Sequence, residues 1–158
     1  MKTLSQLNKT ISKNTPYIHV GDDMNWVIGA FIELCSRSDQ YYYIDIKSFL
    51  HWVKPAILHG QYKLIYTEDG VVKTGFILWA WVDNDTLIRY HTSNRFYLHP
   101  TEWNEGQNLI IIDYLDLHYS KKNIRDMYRL FKSIKSYVDS CSYCIRDISN
   151  KPIKNGYL

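Results

Sequence analysis

Apolar positions along the chain recur with helical spacing twice before the first strand-like segment. Met24, Val27, Ile28, Phe31 and Leu34 fall on one face of a helix that runs through Cys35, with Asp22 or Asp23 as its N-cap. A second helix over about 43–53 turns Ile46, Phe49, Leu50 and Val53 inward and stops before Pro55, because proline disfavours helix in the residue before it. Strands follow at 61–67 and 71–82, joined through the hairpin signal Glu68-Asp69-Gly70. A short helix from Asp83 to Tyr90, capped by Asp83 or Asp85, leads into a loop from His99-Pro100 to Gly106. Gln107 to Leu115 is apolar without alternation, which describes a strand covered on both faces. Ser120 caps a helix through about Val138 with Ile124, Met127, Phe131, Ile134 and Val138 inward. Ser142 to Ile148 forms another strand, and the Gly- and Pro-bearing tail adds an edge hairpin. This order predicts an α/β fold: a single domain over 21–158, a mixed sheet covered by helices, preceded by a loose arm over 1–20.

Composition narrows the class. At 158 residues and 46% hydrophobic, the chain buries a core of its own. No apolar run approaches the roughly 18 residues of a membrane span, and the polar N-terminus lacks a secretory h-region. A cytoplasmic protein is expected, and three cysteines agree with it. Cys141 and Cys144 form a lone CxxC inside an apolar strand; without a second pair it reads as packing, so no metal is expected. Residues 121–158 carry nine Lys and Arg against three Asp and Glu, while residues 1–120 carry ten against thirteen. The basic end suits an acidic partner, nucleic acid or an acidic carrier protein, and no DNA- or RNA-binding motif supports the first.

Candidate chemistry centres on Asp113. It interrupts Leu109-Ile110-Ile111-Ile112 and Tyr114-Leu115, where a carboxylate must be hydrogen-bonded or paired. Such a group serves as a general base, or holds a neighbouring base in its useful tautomer. His118, five residues on and beyond the strand end, is the candidate partner; His51 and His59 are weaker ones, and His19, His91 and His99 weaker still. Motifs for a nucleophile elbow, a phosphate loop, a dinucleotide fingerprint or a zinc protease are absent, so direct transfer from a bound donor is expected.

Several blocks in a fixed order resemble the toxin-activating lysine acyltransferases, the activators of RTX haemolysins. They are Pro55-Ala56-Ile57, Gly60-Gln61-Tyr62-Lys63-Leu64, Asp69-Gly70, Trp79-Ala80, Arg89-Tyr90, Glu102-Trp103 with Gly106, Ile112-Asp113 and Met127-Tyr128. The resemblance implies a fold similar to the Gcn5-related acetyltransferases, usually dimeric. It also implies transfer of a fatty acyl group from an acyl carrier protein to toxin lysines, with the donor as cosubstrate and no tightly bound cofactor. It implies an aspartate at Asp113 and a histidine at the position that is Tyr41 here. With that histidine gone, either His118 or another histidine replaces it, or the chemistry has changed. The second case resembles the branch that joins a glucosylated catecholate siderophore to the C-terminal serine of a microcin peptide, together with a partner protein. A non-catalytic, substrate-binding subunit is the further alternative. Backbone N–H groups along Gly75 to Trp81 are expected to polarise the donor carbonyl.

Overall fold

The computed structural model describes residues 24–134, 138–147 and 149–158. The expected arm over 1–20 and the Asp22 or Asp23 cap lie outside them. Helix α1 (Met24–Ser36) and helix α2 (Ile46–Leu58) precede strands β1 (Tyr62–Tyr66) and β2 (Lys73–Val82). Helix α3 (Asn84–Thr92), a 3-10 turn (Pro100–Trp103), strand β3 (Asn108–Asp116) and helix α4 (Lys121–Ile134) follow, then strands β4 (Ser140–Arg146) and β5 (Pro152–Tyr157). The strands form one mixed sheet in chain order, with β3 and β4 parallel and every other pair antiparallel. The architecture is the expected single α/β domain, consistent with a Gcn5-related acetyltransferase-like fold.

Two apolar layers flank the sheet. On one face, Phe76, Leu78, Ala80 and Ile110 pack against Val27, Phe31 and Leu34 of α1 and Phe49, Val53 and Ala56 of α2. On the other, Ile77, Trp79, Trp81 and Leu109 pack against Phe131 of α4. Strict alternation along β2 feeds both layers, which is why β2 reads as a continuous apolar run.

Three local expectations are corrected. Helix α2 does not stop before Pro55 but carries it within its C-terminal half. Burying Phe49, Val53 and Ala56 on one stripe outweighs the hydrogen bond that proline cannot donate. The helix ends instead at Leu58 with His59 as C-cap, and Gly60 follows with a φ of 63°, the Gly60 N–H bonding Ile57 O and the Gln61 N–H bonding Ala56 O. The segment after His99 is not plain loop: Glu102 bonds back to the His99 N–H and closes a 3-10 turn. Ile124, expected inward, is half exposed because the inward stripe of α4 begins at Met127.

Gly75 of β2 leaves no room for a side chain against β3. A Cβ there falls 2.0 Å from Leu115 O, a backbone atom that moves only with the strand. Gly75→Ala is therefore expected to cost about 3 kcal/mol of stability, read as a lower urea midpoint; an unchanged midpoint contradicts this β2–β3 register.

Candidate active site

A bulge in β3 builds the site. Leu78 pairs with Asp113 and Trp79 with Ile111, so Ile112 is an extra residue with no partner on β2. Before the bulge, Leu109 and Ile111 face the α4 layer; after it, Tyr114 does. The slip in phase turns Ile112 and Asp113 to the same side, toward α1 and α2, although regular alternation would have sent Asp113 under α4. Without this extra residue the carboxylate would lie in the wrong layer.

Asp113 Oδ2 accepts a 2.9 Å hydrogen bond from the Tyr41 hydroxyl, and its Oδ1 accepts the Tyr114 N–H at 2.7 Å. Tyr41 closes the 3-10 turn Asp39–Tyr41 between α1 and α2, capped by Ser38, and stacks on Trp52 of α2. Burial raises the Asp113 pKa to about 6, against which both hydrogen bonds pull it down. Burial, with the Asp113 charge second, holds the Tyr41 hydroxyl far above its ordinary range, so it donates and does not act as a base. Cys35, buried beside them, is pushed up to about 12 by burial and by Asp113; it is a thiol at neutral pH and no nucleophile.

The surrounding cleft, about 610 Å³, follows from how β3 and β4 part. Their parallel ladder covers only Asn108 to Ile110 against Ser140 to Ser142. Beyond it the strands diverge, and Ile112 and Asp113 of β3 face Cys144 and Arg146 of β4 across the gap. Tyr90 of α3 enters the wedge and donates its hydroxyl to Ile111 O at 2.5 Å, a carbonyl just past the last ladder pair. Trp52, Phe96, Tyr97 and Trp103 complete a largely aromatic lining, and Lys47 and Arg146 bring positive charge to it.

The structure does not bring His118 to Asp113. His118 lies in the exposed turn after β3, where its backbone N–H bonds Asp116 Oδ1 at 3.0 Å. Strand β3 carries the chain away from Asp113 by about 3.3 Å per residue, and Asp116 ties down the turn at its end. Asp116 accepts from the N–H groups of His118 and Ser120 and from Asn123 Nδ2. His51 does line the cleft, from an exposed position on α2; His59 lies at the C-cap of the same helix. The Gly75–Leu78 stretch is not available to a donor carbonyl, because β2 is paired there with both β1 and β3; beyond it the Trp79 N–H bonds Gln61 O and Trp81 bridges Asn104. Cys141 and Cys144 belong to opposite layers, a consequence of odd spacing on a strand, so the CxxC cannot grip one ion. Tyr41 was marked in the sequence only by standing where a histidine was expected, and Tyr90 only as part of the Arg89-Tyr90 block; Arg146 carried no signal.

The RTX toxin acyltransferase family matches residues 21–137, most of the chain. The match spans both helices over the cleft, the bulged strand and Asp113, and the chain belongs to this family of toxin-activating acyltransferases. A comparison with curated proteins finds no match. None of the helices among the described residues is long and apolar enough to cross a membrane.

The raised Asp113 pKa has a thermodynamic signature. Between about pH 4 and pH 6 the folded state holds a proton that the unfolded state has released, so stability falls as pH rises through this window. The loss amounts to about 3 kcal/mol at neutral pH. Urea denaturation at both ends of the window is expected to show this slope in the wild type and a flatter one in Asp113→Asn; equal slopes contradict a raised pKa.

Proposed function

We propose that this chain is a cytoplasmic toxin-maturing acyltransferase in which the Asp113 carboxylate takes the proton from an attacking hydroxyl. The observation that carries this reading is Tyr41 in place of the family histidine, bonded to Asp113 at 2.9 Å. A lysine acceptor arrives as an ammonium with a pKa of about 10.4 and must be deprotonated before it attacks. A hydroxyl loses its proton as it attacks, and a single carboxylate with a pKa near 6 suits that task. Tyr41 holds the carboxylate in place and keeps its pKa from rising further.

The acceptor that fits is a sugar hydroxyl on a glucosylated catecholate siderophore, joined to the C-terminal serine of a microcin peptide. Trp52, Tyr90, Phe96, Tyr97 and Trp103 offer the flat apolar surfaces that sugar faces and catechol rings stack on. In the transfer, the hydroxyl oxygen bonds to the activated peptide carbonyl carbon and its proton passes to Asp113. The bond to the leaving group then breaks, and the leaving group departs with that proton. A partner protein supplies the activated peptide.

A second reading, fatty acyl transfer from an acyl carrier protein to toxin lysines, is favoured by another cleft. It is about 500 Å³, lined by Ile28, Ile32, Phe49 and Leu50, and meets the first at Tyr41 and Ile44. The basic helix α4, with Lys121, Lys122, Arg125 and Arg129, offers such a carrier a positive surface. A homodimer belongs to this reading.

Intact mass of the toxin peptide, matured with and without this protein and its neighbours, separates the cases. A siderophore-sized increment at the C-terminus is expected; a fatty acyl increment on lysine selects the second reading. No increment under any condition selects a non-catalytic binding subunit. Asp113→Ala is expected to abolish transfer. Tyr41→Phe is expected to slow it roughly tenfold. It also moves the acidic limb of the pH–rate profile upward, since the lost hydrogen bond was holding the Asp113 pKa down. An unmoved profile contradicts the Tyr41 role.

A further inference from the structure

Arg146 is a half-buried cation in the cleft wall with no counter-charge among the described residues. Its guanidinium lies against the rings of Tyr90, at 5.7 Å, and Phe96, at 5.4 Å. Its hydrogen bonds go to backbone carbonyls alone: Nη1 to Ser93 O at 2.8 Å and Asn150 O at 2.7 Å, Nη2 to Tyr90 O. Nε is buried and has no partner. An arginine has five N–H donors, so the Nε–H and one Nη2 hydrogen remain.

Neither carboxylate of the cleft compensates this charge. Asp45 is the N-cap of α2, occupied by the Ser48 N–H and hydroxyl, and Asp113 is held by Tyr41 and the Tyr114 N–H. Asp147, next in sequence, is taken up by Ser149 and the Lys151 N–H. The ion pairs among the described residues, Arg89–Glu102, Lys122–Glu68 and Arg129–Asp126, all lie elsewhere. An arginine cannot shed its proton, and a charge withdrawn from water without a counter-ion is costly. Lys47 adds a second positive charge to the same cleft.

We infer that Arg146 is a binding residue for an oxyanion, phosphate or carboxylate, carried by a substrate that occupies the gap between β3 and β4. This rests on that cleft being the site of transfer, and it adds the charge of the group bound there. The three carbonyl bonds fix the guanidinium plane before the ligand arrives, so little side-chain freedom is lost on binding. Two sources fit the chemistry: the phosphate of a carrier's phosphopantetheine arm, and a carboxylate or phosphate on an activated peptide.

The test observes the wild-type Arg146 Nε–H directly by nitrogen-15 NMR, assigned by its loss in Arg146→Lys. Inorganic phosphate and acetate are added first, with chloride as the control at equal ionic strength. A saturable shift at Arg146, absent from the exposed arginines, is expected. Paired probes then identify the source. Phosphopantetheine against pantetheine reads a carrier arm, and a toxin peptide with a free C-terminus against its amide reads a peptide. In each productive pair the charged member is expected to bind about ten- to hundredfold more tightly. The inference is overturned if neither pair differs and no anion moves the signal. Asp113→Asn keeps the shift while losing transfer. A lost shift with transfer intact therefore sinks the Arg146 role alone, and a kept shift with no transfer in the wild type sinks the catalytic reading alone. Because Arg146 also braces α3, Arg146→Lys is first checked for an unchanged urea midpoint. If that variant unfolds, selective arginine labelling with the Arg37→Lys, Arg89→Lys, Arg95→Lys, Arg125→Lys and Arg129→Lys variants assigns the signal by elimination among the six arginines.

Discussion

One unpaired residue in a central strand governs this molecule. Ile112 has no partner on β2, and the phase slip it causes aims Asp113 at the α1–α2 layer instead of the α4 layer. The cost is a disrupted ladder beside a strand that is apolar from Gly75 to Val82. The gain is a carboxylate held at the floor of a cleft, where burial raises its pKa into the range useful near neutrality. The parting of β3 and β4 past Ile110 and Ser142 opens that cleft at the same level of the sheet. Bulge and divergence thus act together: one supplies the group, the other the room around it.

The Tyr41 bond shows how the rest of the fold converges on this point. Ser38 caps the 3-10 turn that presents Tyr41, Trp52 stacks on its ring, and Phe76 of β2 closes behind it. A histidine at this position would offer a ring nitrogen able to take a proton. A phenol beside a carboxylate has no such capacity, because the neighbouring negative charge and burial both oppose its ionisation. In the proposed transfer the base function therefore falls to Asp113 itself, since the phenol at this position cannot take a proton.

Much of this was legible in the chain. The two-sided burial of β2 and β3, the Asp83 cap of α3 and the Asp69-Gly70 turn all follow from pattern and turn chemistry. Asp113 stood out because a carboxylate in an apolar run demands partners. Its partner was not legible, because Tyr41 and Asp113 are 72 positions apart and meet only when the bulge has turned the strand. Reading His118 as that partner assumed that nearness in sequence survives at a strand end, where an extended chain instead separates residues quickly. Pro55 misled for a related reason: a local rule for helix ends yielded to the stripe of buried side chains on α2.

Arg146 extends the same logic from local rules to charge. A side chain that binds only carbonyls resembles a structural brace, and Arg146 does brace the end of α3 and the turn before β5. Bracing does not require a permanent cation, however. Carbonyl oxygens satisfy hydrogen-bond geometry but carry only partial charge, so most of the electrostatic penalty of a half-buried guanidinium remains. Natural chains place a full counter-ion against such a group, or use neutral donors such as asparagine and glutamine where bracing is all that is needed. This cleft spends its two carboxylates otherwise, one on a helix cap and one on Tyr41, and leaves the cation facing the proposed substrate space. The imbalance is resolved when the missing negative charge arrives with the ligand.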